Sequence, residues 1–176
     1  SGLDKLPKGS RVLDVGCGIG GSSRILAEHY GFNVIGITIS AEQVKRAREL
    51  TKSSLNCNFQ QMDAMDLKFE DGEFDGIWSV EAGPHMPDKQ KYADEMLRVL
   101  RPGGYLAVAD WNSRDLTLKA PNIIEKMVLK QLLEQWAHPS FSSINSFKRN
   151  LSNSSFVGSQ VETDDWTKET LPSWWE

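Results

Sequence analysis

The residues Gly16-Cys17-Gly18-Ile19-Gly20-Gly21 satisfy the pattern G-x-G-x-x-G between a short apolar run and a segment of helical character. Glycines in that order let the chain turn tightly and let a ligand approach the backbone, while the first turn of the following helix offers N–H groups to an anion. Alone, the pattern leaves two readings open, a nucleotide-type site or a bare strand-to-helix turn. Two neighbouring features sort the ligands. A dinucleotide site requires Asp or Glu about 20 residues on, at the end of the second strand, to bond a ribose. Here that strand ends Gly36-Ile37-Thr38-Ile39-Ser40, without a carboxylate. Asp14 lies two residues before Gly16. A carboxylate there either orients the loop or holds a cationic amine, and it would repel a pyrophosphate. The loop therefore favours a ligand carrying an ammonium group and a carboxylate over NAD.

Such a loop needs a strand before it, a helix after it and a sheet to seat both, and the chain supplies them in alternation. Residues 11–15 (RVLDV) read as a buried strand, and residues 22–30, with Ile25, Leu26 and Ala27, as a short helix stopped by Gly31. Residues 33–39 (NVIGITI) are a second β-branched run, after which Ser40 and Gln43 predict a capping box opening a helix over 41–52. Residues 57–62 (CNFQQM) predict a third strand, and Asp71-Gly72 a turn into a fourth over 74–80 (FDGIWSV). Residues 89–100 place Tyr92, Met96, Leu97 and Leu100 at helical spacing, and Arg101-Pro102-Gly103-Gly104 stops that helix as a turn before a fifth strand over 105–109. Strands alternating with helices of about ten residues predict right-handed βαβ units: an α/β, Rossmann-like, doubly wound and mostly parallel sheet.

After Trp111 the texture changes. Pro121 stands before a helix over 123–136 with an apolar stripe of Ile124, Val128, Leu132 and Trp136, and Trp136 is assigned to the core. A weak helix is expected over 144–151, a sixth strand over 157–163, and a Trp-rich end at Trp166, Trp174 and Trp175.

Composition bounds the function. With 176 residues, 39% of them hydrophobic and 25% charged, one packed domain is expected. Twenty Lys and Arg against 24 Asp and Glu give a net charge of −4, which lacks the basic footprint of a nucleic-acid binder. No apolar run approaches the ~18 residues of a membrane span, and the opening SGLDKLPKGS carries no signal-peptide pattern. Cys17 and Cys57 are too few for a disulfide framework or a zinc site, so no metal is expected and a reducing, cytoplasmic setting fits.

Four segments occur in order: VLDVGCGIGGSS at 12–23, the aspartate in Gln61-Met62-Asp63-Ala64, the strand Phe74-Asp75-Gly76-Ile77-Trp78-Ser79, and Leu100-Arg101-Pro102-Gly103-Gly104. Together they resemble the class I S-adenosylmethionine-dependent methyltransferases, over about residues 11–111. Gly36-Ile37-Thr38-Ile39-Ser40 with Gln43, the run Ser79-Val80-Glu81-Ala82-Gly83-Pro84-His85-Met86-Pro87-Asp88-Lys89, Val108-Ala109-Asp110-Trp111-Asn112, Gln135-Trp136-Ala137-His138-Pro139 and Asp165-Trp166-Thr167 are similar to the tocopherol and plastoquinone quinol methyltransferases.

The resemblance implies S-adenosyl-L-methionine as cofactor and S-adenosyl-L-homocysteine as product. Gly16, Cys17, Gly18 and Gly20 would meet the methionine part, with Asp14 in support. Thr38, Ile39 and Gln43 would take the ribose and adenine side, Asp63 and Ala64 would meet adenine, and Ser79 would lie beside the sulfonium. Each has a plainer role as well: Gln43 completes a cap, Asp63 caps the turn into Ala64-Met65, and Cys17 packs. The acceptor implied is a prenylated benzoquinol of the 2-methyl-6-phytyl type, methylated on a ring carbon in tocopherol and plastoquinone synthesis. A small amine, sarcosine-like or alkaloid, is the alternative acceptor. A non-catalytic cofactor-binding module and an NAD-dependent oxidoreductase are further readings, the last opposed by Thr38 and Asp14.

A quinol carbon is nucleophilic when its hydroxyl is deprotonated, and His85, a residue of the type most used for proton transfer, follows the fourth strand and is the candidate base. Its plainer role is to bond the loop backbone. Glu81 orients His85, counters positive charge in the pocket or fixes the loop, and Trp111 is a candidate pocket wall. A single domain is expected over 1–176, divided into a cofactor-binding core at 11–111 and a cap at 112–176 of acceptor-side helices and the late strand. Family members carry an aromatic-rich segment before the glycine-rich strand and further strands after the cap, which these residues do not include. The expectation is a shortened chain in which any membrane association rests on absent parts.

Overall fold

The structure, a computed structural model, describes residues 2–135, 139–158 and 161–170. Strands Arg11–Val15 (β1), Asn33–Thr38 (β2), Cys57–Gln61 (β3), Phe74–Val80 (β4) and Leu100–Ala109 (β5) form one sheet in the order β3-β2-β1-β4-β5. Every pairing is parallel. The chain first winds outward from β1 to β3 and then crosses back to lay β4 on the other side of β1. The order thus reverses between β1 and β4, and in open α/β sheets the crevice at such a reversal, beyond the carboxyl ends of the strands, is where ligands bind. The α/β, doubly wound sheet expected from the sequence is the one observed.

Helices cover both faces. Gly21–His29 (α1) and Ala41–Leu50 (α2) pack on one side, where Leu26, Ala27, Val44 and Ala47 meet Val12, Val34 and Phe59. Lys89–Val99 (α3) packs on the other, where Tyr92, Met96 and Val99 meet Leu13, Val15, Phe74 and Ile77. Burial on both faces explains why β1 reads as a continuous apolar run rather than an alternating one. Tyr92, Met96 and Val99 recur at helical spacing and are fully buried, each contributing about 1.5–3 kcal/mol. Asp88 starts α3 by accepting a bond from the Lys91 N–H at 2.9 Å.

Three expectations are corrected. Arg101-Pro102-Gly103-Gly104 ends α3 as foreseen, yet it is no free turn, because it belongs to β5. Phe74 stands opposite Leu100 and Gly76 opposite Tyr105, so the segment is absorbed as an irregular bulge with Gly103 at φ 76°. Proline is tolerated there because β5 lies at the edge of the described sheet. Second, the described residues of 157–163 carry no strand. Val157 and Val161 instead rest against Ala93, Leu97 and Leu151, adding side chains to a helix surface and no backbone to the sheet. Third, the stripe on Ile123–Gln135 (α4) does not face a core. Ile124, Val128 and Leu132 are exposed, and no residue of that helix is buried. Trp136, with His138, Trp174 and Trp175, lies outside the described residues. The weak helix is longer than expected, Ile144–Asn153 (α5), opened by a Ser143–Ser146 capping box and seated on α3 through Phe147 and Leu151. A short helix Thr167–Thr170 (α6) and two 3-10 turns, Leu3–Lys5 and Gly83–His85, complete the chain.

Candidate functional site

The carboxyl ends of β1 to β5 bring most of the candidate residues to one side of the sheet. After β1 the chain adopts left-handed torsions at Gly16 (φ 77°), Gly18 (φ 55°) and Gly20 (φ 79°), which side chains resist. A Cβ on Gly16 would collide with Ala82 beyond β4, and one on Gly20 with the Phe59 ring, whereas one on Gly18 would meet open space. Main-chain bonds fix the loop: the Gly16 and Cys17 N–H groups both donate to the Ile37 carbonyl at 2.9 Å, and the Gly20 N–H to the Cys17 carbonyl at 2.9 Å.

Asp14 supports the loop from beneath. Its Oδ2 accepts the Ser22 hydroxyl at 2.7 Å and the Ser23 hydroxyl at 2.5 Å, and the side chain is 1% exposed. Burial raises its pKa above the usual carboxylate range, and the serine bonds pull it back in part. Of the two roles foreseen for Asp14, orientation of the loop is the one these bonds perform. Cys17 is buried and its thiol is pushed up to about 12, by burial first and by Asp14 second, which removes it as a nucleophile.

At the end of β2, Ser40 caps α2 by accepting from the Gln43 N–H at 3.3 Å. The predicted reciprocal bond does not form. The Gln43 side chain accepts the Thr38 hydroxyl at 2.6 Å, and Thr38 Oγ1 in turn accepts the Ser40 N–H at 3.3 Å. Thr38 and Gln43 are thereby tied together, and Ile39 between them is held out at 72% exposure. Past β3, Asp63 Oδ1 accepts the Met65 N–H at 2.8 Å, the turn-capping role foreseen for it, while Ala64 is buried against the α3 side of the sheet. That connection is pinned by Arg98 of α3. Its guanidinium donates to Glu95 Oε1 and Oε2, to Asp71 Oδ1, and to the Leu67 and Phe69 carbonyls, all within 2.9 Å, which uses all five N–H groups.

The ends of β4 and β5 are built differently. Ser79 is fully buried, with its hydroxyl 2.9 Å from the Val15 carbonyl and 2.6 Å from the Tyr92 hydroxyl, so its side chain joins β1, β4 and α3 inside the core. Burial drives the Tyr92 phenol far above its ordinary pKa, which keeps it neutral. Glu81 takes a left-handed conformation (φ 57°), donates its N–H to the Ala109 carbonyl at 2.8 Å and accepts the Trp111 indole N–H at 3.0 Å. Both bonds tie Glu81 to the end of β5 and so fix the loop, one of the three roles foreseen for it. His85 is exposed at the end of the 83–85 turn. That turn is gripped by residues given no role from the sequence: Asp110 Oδ1 accepts the Gly83 N–H at 3.2 Å, and Lys89 Nζ donates to the carbonyls of Gly83 (2.7 Å), Pro84 (3.2 Å) and Met86 (2.5 Å). Burial pushes the Asp110 carboxyl up to about 6 and depresses the Lys89 ammonium. Asp110 stands at the carboxyl end of β5, so the strand-end rule that selected Ser79 would have found it. Among the described residues, no group of three His, Cys, Asp or Glu is placed to hold a metal, and no helix is long and apolar enough to cross a membrane.

A doubly wound sheet with a glycine loop after β1 and an open switch point is an architecture that binds nucleotide-type ligands. The family model described as a methyltransferase domain matches residues 13–108, and the chain belongs to that family, in its class I, S-adenosylmethionine-dependent form. The chain is 61% identical over 173 residues to the 2-methyl-6-phytyl-1,4-hydroquinone methyltransferase of Synechocystis sp., an alignment covering 98% of this chain and 54% of the relative. It is 39% identical over 169 residues to the chloroplastic tocopherol O-methyltransferase of Arabidopsis thaliana, covering 93% and 48%. The chain thus spans about half the length of the curated relatives it matches. Among solved structures, Haemonchus contortus phosphoethanolamine N-methyltransferase 2 in complex with S-adenosyl-L-methionine superposes with a TM-score of 0.83 at 21% identity, over 95% of this chain and 37% of that one, a likeness of fold. A geranyl diphosphate methyltransferase in complex with the same cofactor gives 0.71 at 26% identity, over 86% and 59%.

Proposed function

We propose that this chain binds S-adenosyl-L-methionine across the carboxyl ends of β1 to β4 and presents its methyl group to a ring carbon of a prenylated benzoquinol, a step of tocopherol and plastoquinone synthesis. The observation that carries the proposal is the 16–20 loop, bent by three left-handed glycines over the buried carboxylate of Asp14 and flanked by an exposed Ile39 where a dinucleotide site needs an acid. The 61% identity to a hydroquinone methyltransferase supports the acceptor class.

The residues present fit such a cofactor. The open space at Gly18 leaves the loop backbone accessible to the amino-acid part. Ile39, exposed, would offer an apolar surface to the adenine, the bonded Thr38–Gln43 pair would take the ribose side, and Asp63, with one oxygen on the Met65 N–H, would accept from the adenine amino group next to Ala64. The side chain of Ser79 holds the strand end from inside, and the exposed His85 would accept the quinol hydroxyl proton as the ring carbon takes the methyl group, the methyl–sulfur bond breaking to leave S-adenosyl-L-homocysteine and the methylated carbon then losing its proton to water to restore the aromatic ring. Glu81, through Trp111, sets where the chain leaves β4. When bound, the cofactor supplies an electrophilic methyl group, so the work left to the protein is alignment and exclusion of water. A prenylated acceptor partitions into bilayers, and we expect the protein to act from the cytoplasm at a membrane surface.

Calorimetric titration with S-adenosyl-L-homocysteine, with NAD as control, tests the cofactor. Saturable binding of the first alone is expected; binding of NAD alone would overturn the assignment. Incubation with S-adenosyl-L-methionine and either 2-methyl-6-phytyl-1,4-benzoquinol or sarcosine then tests the acceptor, and methylation of the amine alone would refute the quinol.

A further inference from the structure

The 83–85 turn is a single 3-10 turn between β4 and α3, too short to be stable by itself. Two ionisable side chains from neighbouring elements grip its ends. At its start, Asp110 accepts the Gly83 N–H, and the fit is so close that a Cβ on residue 83 would strike the Asp110 carboxylate. At its end, all three donors of the Lys89 ammonium are spent on the carbonyls of Gly83, Pro84 and Met86. An ammonium placed on the carbonyls that close a turn, and a carboxylate placed on the amide that opens it, match the polarity of the turn at both ends. Neither group is spent on the surface: Lys89 and Asp110 are both partly buried, and Asp110 adjoins Trp111, Asn112, Ser142 and Phe147 in a small hollow of about 10 Å³ beside Pro84. Desolvating two charges to order three residues is costly unless the place of those residues matters.

We propose that Asp110 and Lys89 are positioning residues which together fix where His85 stands relative to the cofactor end of the sheet. The consequence for catalysis rests on the methyl-transfer function proposed above, whereas the grip itself does not. The groups that face Asp110 are Lys89 and Tyr92 from α3 and Glu81 from the end of β4. Lys89 is the cation among them, and its charge offsets part of the cost of burying the Asp110 carboxylate.

The grip is read directly from hydrogen exchange at the Gly83 amide and from the His85 ring resonances, both followed by NMR on the 176-residue chain. Asp110→Ala is expected to lower Gly83 protection by at least about tenfold and to shift the His85 ring signals. Asp110→Asn, which keeps an acceptor oxygen, should restore most of both. Lys89→Met should release Met86 and move His85 while leaving the Gly83 amide bonded to Asp110, and it provides the test should Asp110→Ala fail to fold. Unchanged Gly83 protection in a folded Asp110→Ala chain, or unmoved His85 signals in Lys89→Met, would overturn the proposal. Titration with S-adenosyl-L-homocysteine separates the two layers: all three variants should bind within about threefold of the parent. If the parent fails to bind, the cofactor assignment falls while the exchange result still decides the grip. In turnover assays, Asp110→Ala and Lys89→Met should lower kcat with the KM for S-adenosyl-L-methionine unchanged while Asp110→Asn keeps most of the parent's kcat, and a matched change in kcat and KM would refute a positioning role.

Discussion

On the β1–β3 side of the crevice the course of the chain is set by its own backbone, with left-handed glycines and main-chain bonds to Ile37, whereas on the β4–β5 side ordinary residues are held by side chains reaching in from α3 and β5. Three glycines do on one side what Lys89, Asp110, Glu81 and Trp111 do on the other. A backbone-built rim has one shape, because torsions and steric contacts leave no alternative. A rim held by side chains can be retuned one contact at a time.

Four substitutions test this contrast. Gly16→Val should have the largest effect, since it combines a forbidden torsion with a collision at Ala82, costing about 3–5 kcal/mol in stability and abolishing S-adenosyl-L-homocysteine binding. A melt and a titration would show it; a tolerated valine would mean the backbone-built rim is softer than its torsions say. His85→Ala should lower turnover about 100-fold in the full-length enzyme with cofactor affinity intact. Equal losses in both would make His85 part of the scaffold.

Asp110→Asn should alter the pH dependence of stability. The Asp110 carboxyl sits at about 6, above its ordinary 3.8, so over that window the folded chain keeps a proton that the unfolded chain has released. Stability therefore falls as pH rises through the window, and the penalty is complete above about 6. The asparagine variant should be more stable than the parent at pH 8, by on the order of 2 kcal/mol, and should lose that advantage below pH 4. A constant offset across the range, measured by denaturant titration at each pH, would contradict the cause. The smallest effect is expected from Asp63→Ala, about 1–2 kcal/mol in cofactor affinity, because one of its oxygens is already committed to Met65.

How much could be read in advance divides along the same line. The glycine loop, the five strands and the Ser40 cap are local: each depends on torsions or on neighbours within a few residues, and the amino-acid order states them openly. For Asp14, its place two residues before Gly16 left two roles open, and it is the bonds from Ser22 and Ser23, eight and nine residues on, that make it a loop-orienting group. Asp110 is 27 residues from its partner Gly83, and Glu81 is 30 from Trp111, so no local pattern announces either pair. Ser79 shows the limit of strand-end position as a guide. The strand ends where expected, but the pleat turns the hydroxyl inward to Tyr92. The stripe on α4 failed as evidence of core for a related reason: periodicity shows that a helix has an apolar face, and only the fold decides whether anything covers it.

Arg98 bears on how freely this chain can change over generations. One guanidinium holds the Leu67 and Phe69 carbonyls and the Asp71 carboxylate, together with Glu95 of its own helix. The connection it pins adds anchors of its own, with Asp63 on the Met65 N–H, Lys68 on Asp66 and the Glu70 N–H on Glu73. The side chains of Lys68 and Glu70 are exposed and make none of the Arg98 contacts, so both positions are open to replacement. Position 98 carries the opposite burden, because no other side chain offers five donors in one plane. Drift along this stretch will therefore be uneven, with a loop that varies around a single residue that does not.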